Sequence, residues 1–578
     1  MDHAAPTDPA AAPRWRLAIG LTTALGTLAV GTMVGTGDHG GLPFILWLVC
    51  LGGLLTVAGR PRLGPPLSRR DGLALGAVTA VAAALRLWQI GSIPSGVWLD
   101  ELAIAANSIT LAAGPFAPFA STPLFADHPE WVHTSNLYLY ACWPLVRLSG
   151  YGFVGVKLIS LLPGIAAPPL LYLLARRVLA TGWAAFAAGL LALSHWHVTA
   201  SRWGFDQVLV TALGIVLIAA LYDGLEHRHA ATLTSAGVIA GLALYAYIAA
   251  RLLLAAVVVV LVVRVAWLRT REPLRDLAAF GAGWAVAATP LVAYWLTHPG
   301  VFAVRMSELS IVGQALAGDL APVLGNLRHY ALMFFVRGDF NPRQNVPGEA
   351  MLDPLTALLF AIGLVIAALR WRRTEHQLAV SWLLVGLLGG VLTESVIGPN
   401  SYRTGHVVPA CMLLAAVAAA TLHRGFARAR PHASSTLAPV AASAVLLSAL
   451  TVTSVQYFLI RPQSRECYWA ARDGVRCEMM RRLAEGALAS GHAVLLDSST
   501  RSTNCTLQFD VLTRRRYPGS EIRWVDATGD LEHLPAGSLL LIAPEAWRGL
   551  PAAIRSSPAV TVTSPFDEPV VVAVSRDR

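Results

Sequence analysis

SNLYLYACWPLVRLSG (residues 135–150) decides how the chain is threaded. The stretch is apolar, but it is short, rich in Tyr and Trp, and interrupted by Pro144. A helix needs about 20 apolar residues to cross a hydrocarbon core of roughly 30 Å. If this stretch crossed, every basic connector after it would lie on the opposite face from those before it. Read instead as a helix lying flat at the headgroup level, it leaves all the basic connectors on one side.

Working outward, apolar runs long enough to span lie near 17–36, 42–58, 72–90, 154–175, 182–199, 205–222, 232–249, 252–268, 276–296, 352–370, 377–395, 406–422 and 436–457. The 578 residues are 55% hydrophobic and only 13% charged, against about 25% charged in soluble domains. The expected fold is mainly α, a polytopic transmembrane helical bundle of about 13 spans. RPRLGPPLSRR (60–70), ARR (175–177), HRH (227–229), RTREPLR (269–275), RWRR (370–373) and HRGFARAR (423–430) share one face. Loops rich in Lys and Arg stay in the cytoplasm. The chain is therefore expected in the cell membrane, N-terminus cytoplasmic and C-terminus extracytoplasmic. The net charge of +10 follows from those connectors and points to membrane lipids, with no nucleic-acid partner.

Four regions are expected. Residues 1–16 form a disordered cytoplasmic tail with no cleavable signal, and 17–71 an additional transmembrane hairpin. Residues 72–457 are the main bundle, and 458–578 a small extracytoplasmic α/β domain. In the last region RDGVRCEMMRRLAEGALAS (472–490) reads as an amphipathic helix. HAVLLD, EIRWVD, GSLLLIA and PVVVAVS read as strands of a Rossmann-like layer. No glycine-rich phosphate loop follows any of them. Cys467, Cys477 and Cys505 all lie there, and two of them are able to pair. Glycines within spans, as in GTLAVGTMVGTG (26–37) and GAGWAVA (281–287), read as close helix contacts.

Polar residues gather at the outer ends of the spans. In SGVWLDELAIAANS (95–108) Asp100 and Glu101 stand side by side at the membrane boundary. An acid there can cap a helix or accept a proton, apolar surroundings raising its pKa toward a useful range. FADHPEWVH (125–133) gathers Asp127, His128, Glu130 and His133, but its spacing matches no tight metal motif. SHWHVTASRWGFDQ (194–207) brings Arg202 and Asp206 outward, YAYIAARLL (245–253) Tyr245, Tyr247 and Arg251, and PNSYRTGH (399–406) Tyr402, Arg403 and His406. Single arginines at helix ends snorkel to water. Three against the charge bias, beside aromatics, suit a phosphate-bearing ligand. The outer loop GDFNPRQNVPGE (338–349) adds Asp339, Asn341, Arg343 and Asn345 as a lid or hydroxyl reader.

These pieces resemble the GT-C membrane glycosyltransferases, in particular bacterial proteins similar to protein O-mannosyltransferases and aminoarabinose transferases. The resemblance rests on ALRLWQIGSIPSGVWLDELAIAANS (84–108), LYLLARRVLATGWAAFAAGLLALSHWHVTASRWGFDQ (171–207), GLALYAYIAARLL (241–253) and GDFNPRQNVPGEAMLDPLTALLFAIGL (338–364). HPEWVHTS departs from the Pro-Pro-Leu the family often carries in the first outer loop. The resemblance implies a polyprenyl-phosphate sugar donor, an extracytoplasmic protein, glycan or lipid acceptor, and no cofactor, a divalent metal not being favoured. Asp100 matches the catalytic position, with Glu101 its companion. Arg202, Arg251 and Arg403 would bind the donor phosphate. His128, Glu130, Asp206, Tyr245, Tyr247, Tyr402, His406, Asn341 and Arg343 would bind substrate. The alternative is a lipid or sugar transporter or flippase without transferase chemistry. It is disfavoured because ionisable residues concentrate at the outer ends rather than along a pathway.

Overall fold

The computed structural model describes residues 14–268, 270–394, 398–526 and 537–575. The expected tail therefore lies outside the described residues as far as position 13, and Arg14 already opens a helix. Each of the thirteen stretches read as spans contains a helix, and position 395, the end of the run 377–395, lies outside the described residues. Among the described residues, eight helices are long and apolar enough to cross a membrane, and Thr181–Leu193, Ala230–Ala243 and Pro354–Leu369 are shorter apolar helices.

The first part of the bundle runs α1 (Arg14–Gly35), α2 (Gly41–Ala58) and α3 (Arg69–Leu87), then α4 (Leu99–Ala113) and α5 (Asn136–Leu148). It continues through α6 (Phe153–Ala175), α7 (Thr181–Leu193), α8 (His195–Arg202), α9 (Gln207–Glu226), α10 (Ala230–Ala243), α11 (Ala250–Leu268) and α12 (Glu272–Thr297). Helix α5 has 13 residues, about 20 Å at 1.5 Å per residue. That is too short to span. Its Tyr138, Leu139, Cys142 and Val146 face inward. Between α4 and α5 a short hairpin pairs β1 (Ser121–Pro123) with β2 (His133–Ser135).

The run 182–199 is not one continuous helix. Ser194 adopts an extended conformation and its hydroxyl caps the His197 amide, so α7 stops and α8 restarts. Likewise α10 ends at Ala243, and the turn before α11 carries Tyr245 and Tyr247. The helix Val408–Ala429 is buried on all sides through its first half, with every residue from Val408 to Ala418 inside. The α1–α2 pair lends Val30, Val34 and Trp47 to the core and is fastened to α12 where the Trp47 indole donates to the Val286 carbonyl at 2.9 Å.

The C-terminal region forms a five-stranded sheet in the order β4-β3-β5-β7-β6. Strands β3 (Val494–Asp497), β4 (Ile522–Val525) and β5 (Leu539–Ile542) are parallel. Strand β7 (Pro569–Ser575) is antiparallel to both β5 and β6 (Ala559–Thr563). The sheet is thus mixed, and β6 is an exposed edge strand that sequence reading missed. The helix Asp473–Ala489 covers one face, and a disulfide joins Cys477 to Cys505.

Close packing of α10 on α12 rests on two glycines. A Cβ on Gly237 would strike the Phe280 carbonyl oxygen, and one on Gly283 the Thr234 carbonyl oxygen. Gly283→Leu should therefore cost about 1–3 kcal/mol through overpacking, read as a lower thermal midpoint in detergent. Leu at Gly281, where a Cβ meets nothing within 4 Å, should leave the midpoint unchanged.

Candidate active site

Asp100 and Glu101 occupy the first turn of α4. Successive residues on a helix point about 100° apart, and the two acids part company. Glu101 is fully buried. Its Oε2 meets Lys157 Nζ at 2.6 Å and accepts from the Gly204 amide at 2.6 Å, while Oε1 accepts from the Trp98 amide at 2.9 Å. Lys157 Nζ also lies 4.6 Å from the centre of the Trp203 ring. Asp100 turns the other way, into a cavity of about 440 Å³, within the usual range for small-molecule sites.

The cavity collects residues from eight segments. Asp206, at the start of α9, accepts from the Tyr402 hydroxyl at 2.9 Å. The Tyr247 and Tyr402 rings lie 5.4 Å apart. Burial pushes the Asp206 carboxyl up to about 7, the charge of Asp100 adding to the shift. Asp100 is also raised by burial, and Arg343 opposes the rise. The Arg343 guanidinium lies 4.1 Å over Trp98 and 5.5 Å from Phe205. Its buried Nε has no hydrogen-bond partner among the described residues. Arg251 stacks on Phe302 at 4.0 Å and Trp295 at 4.6 Å. Arg305 completes a wall of three guanidinium groups.

Seven expected site residues therefore line one cavity: Asp100, Asp206, Tyr245, Tyr247, Arg251, Arg343 and Tyr402. The hydroxyl of Tyr245 is engaged away from it, donating to the Ala287 carbonyl at 3.2 Å. The other seven do not join the lining. Arg202 is buried, and all five of its donors are used, one on Tyr457 Oη and four on the carbonyls of Leu85, Arg86, Trp88 and Ile93. Arg403 donates to Thr393 Oγ1 at 2.7 Å and to the Glu394 carbonyl at 2.9 Å. His406 is fully buried against Gly386. His128 and Glu130 are exposed at the tip of the β1–β2 hairpin, with His128 stacked on Trp131 at 3.9 Å. Asn341 accepts from the Arg343 amide at 3.0 Å.

That last bond belongs to a fixed wall rather than a loose lid. Asp339 accepts from the Ser401 amide at 2.6 Å and hydroxyl at 2.8 Å, and the Arg343 carbonyl accepts from the Trp203 indole at 2.8 Å. Among the described residues, no three His, Cys, Asp or Glu side chains cluster as metal ligands do. Sequence reasoning missed Arg305 and Lys157. For Lys157 a signal was there, since it is the only lysine in the chain and sits in an apolar run.

Residues 127–295 match the family model described as dolichyl-phosphate-mannose-protein mannosyltransferase. Over that segment the chain is similar to the protein mannosyltransferases. The family is one of glycosyltransferases, and the GT-C resemblance seen in the sequence holds there. The matched segment carries Asp206, Tyr247 and Arg251 and begins after Asp100. ArnT from Cupriavidus metallidurans bound to undecaprenyl phosphate is 15% identical, with 87% of this chain and 97% of that chain covered and a TM-score of 0.49. The Archaeoglobus fulgidus oligosaccharyltransferase in its apo form is 12% identical, with 76% and 63% covered and a TM-score of 0.47. No curated protein sequence matches the chain.

Two predictions follow from the charges. Lys157→Met leaves Glu101 buried and unpaired, which should cost about 3–5 kcal/mol. Adding Glu101→Gln should recover much of the lost thermal midpoint. Asp206 binds its proton more tightly when folded, so it lowers stability as pH rises from the unfolded carboxylate value toward 7. Asp206→Asn should therefore raise the thermal midpoint at pH 8 and change it little at pH 4.

Proposed function

We propose that this protein transfers a sugar from a polyprenyl-phosphate donor to an extracytoplasmic acceptor, with Asp100 as the base. The observation that carries the reading is one cavity in which two carboxyls, Asp100 and Asp206, face three guanidinium groups. A polyprenyl phosphate departs as a phosphate anion, and fixed cations aimed at it lower the barrier. Arg343, whose buried Nε has no partner among the described residues, is suited to that task, and Arg251, with Nη1 on the Phe302 carbonyl, and Arg305, paired with Glu308 at 3.0 Å, line the same cavity. Arg202 and Arg403, which do not line the cavity, are not assigned to it. The acceptor hydroxyl oxygen attacks the anomeric carbon opposite the phosphate. Its proton passes to Asp100, the carbon–oxygen bond to phosphate breaks with its electron pair going to phosphate, and the configuration inverts. Asp206, its carboxyl pushed up to about 7 by burial, and Tyr247 and Tyr402 read sugar hydroxyls.

The family match supports a lipid-phosphate sugar as donor. Support for the extracytoplasmic side comes from the disulfide. Bonds of this kind persist in oxidising compartments, and the region holding Cys477–Cys505 packs against the segment leading into Asp100. The basic connectors lie at the opposite ends of the spans, which supports a cytoplasmic N-terminus.

The test is transfer from radiolabelled polyprenyl-phosphate sugars by the reconstituted protein. Asp100→Asn should lower the rate about 10²–10⁴-fold, the usual worth of a general base, with donor binding retained. Arg343→Gln should instead weaken donor binding. Movement of intact labelled lipid across the bilayer without any transfer would overturn the reading in favour of a flippase.

A further inference from the structure

The segment leading into Asp100 is held by the C-terminal domain. Gly96 has φ of +72°, and a Cβ there would lie 2.7 Å from the Val475 amide nitrogen and 2.8 Å from the Gly474 carbonyl carbon. Facing it, a Cβ on Gly474 would strike the Val97 carbonyl oxygen. Two stretches far apart in sequence thus meet backbone to backbone, with no room for a side chain on either. The same Val97 carbonyl accepts a hydrogen bond from Asn504 Nδ2 at 3.0 Å. Asn504 is itself oriented by Gln508, whose Nε2 donates to Asn504 Oδ1 at 2.7 Å. All of this is buried, Asn504 being 5% exposed and Val97 2% exposed.

The disulfide brackets the contact. Cys477 lies one helical turn beyond Gly474, and Cys505 follows Asn504 directly. It therefore joins the two elements that grip Val97, the helix Asp473–Ala489 and the short helix Thr503–Thr506. From Val97 the chain needs only one more residue before α4 begins, so moving this carbonyl moves Asp100. The cavity mouth is involved as well, because Val475 packs with Trp203 and Phe205, and Trp98 with them.

We propose that Gly474 and Asn504, clamped together by the Cys477–Cys505 disulfide, are positioning residues for Asp100. The C-terminal domain is then a working part of the catalytic site rather than a separately acting module. This inference rests on the reading of Asp100 as the base. Misplacing a reacting group by about 1 Å can cost on the order of 10²-fold in rate, so the grip should appear in turnover rather than in donor affinity.

The experiment uses the full-length protein in nanodiscs. Gly474→Ala is the sharpest variant. Alanine is the better helix former, and Gly474 lies within a helix, so the change favours the domain's own fold while pushing on Val97. Asn504→Leu removes the donor at similar volume. Both should lower kcat for sugar transfer about 10–100-fold with KM for the polyprenyl-phosphate sugar unchanged. Both should also speed deuterium uptake in residues 95–101, with the disulfide intact by thiol alkylation. Should Gly474→Ala lose the disulfide, Asn504→Leu decides alone. Turnover within twofold of wild type, or uptake unchanged in 95–101, overturns the inference. Faster uptake in a protein whose wild type transfers no sugar from any polyprenyl-phosphate donor leaves the grip on Val97 standing and sinks the reading of the site as a transferase.

Discussion

A buried ion pair between Lys157 and Glu101 sits where three segments converge beside the cavity. Removing two charges from water costs several kcal/mol per ion, and only good geometry with further hydrogen bonds offsets it. Here the carboxylate also takes the Trp98 and Gly204 amides. One residue thereby ties the start of α4 to α6 and to the turn between α8 and α9. Asp100 belongs to the first of these and Asp206 follows the last. The distance between the two cavity acids is thus set by a neighbour that never enters the cavity.

Around those acids the surroundings are aromatic rather than polar. Trp98 and Phe205 carry the Arg343 guanidinium on their faces, and Phe302 and Trp295 do the same for Arg251. Arginine is suited to this, being planar and weakly hydrated. Stacking leaves the Arg343 Nε without a partner among the described residues, while Arg251 Nη1 donates to the Phe302 carbonyl at 2.9 Å. Burial also raises both carboxyls, Asp206 to about 7, so the site combines fixed positive charge with acids that hold their protons more tightly than free ones.

The bundle was legible because a span announces itself as about 20 apolar residues, and that α5 is too short to span was legible for the converse reason. Breaks inside runs were harder. Ser194 interrupts a stretch of unbroken hydropathy by capping the next helix, a local hydrogen bond that composition does not register. Asp100, Asp206 and the Tyr247–Tyr402 pair were readable as polar groups at span ends. Arginine was not. Arg202 and Arg251 look alike in sequence, yet one meets four carbonyls around Leu85–Ile93 and the other faces a cavity. Their difference lies in tertiary contacts with partners more than 40 residues away. Arg343 was visible only as one polar residue in a turn-rich loop, since its aromatic supports come from two other loops.

The solitary lysine has a consequence beyond the site. With Lys157 sealed inside, every other basic side chain outside histidine is a guanidinium, a group that does not lose its proton in proteins. The belt of connectors flanking the spans therefore keeps its positive charge at any alkalinity a cell meets, and it offers no side-chain amine to acetylating enzymes. That charge is closed to the covalent tuning that lysine acetylation allows elsewhere.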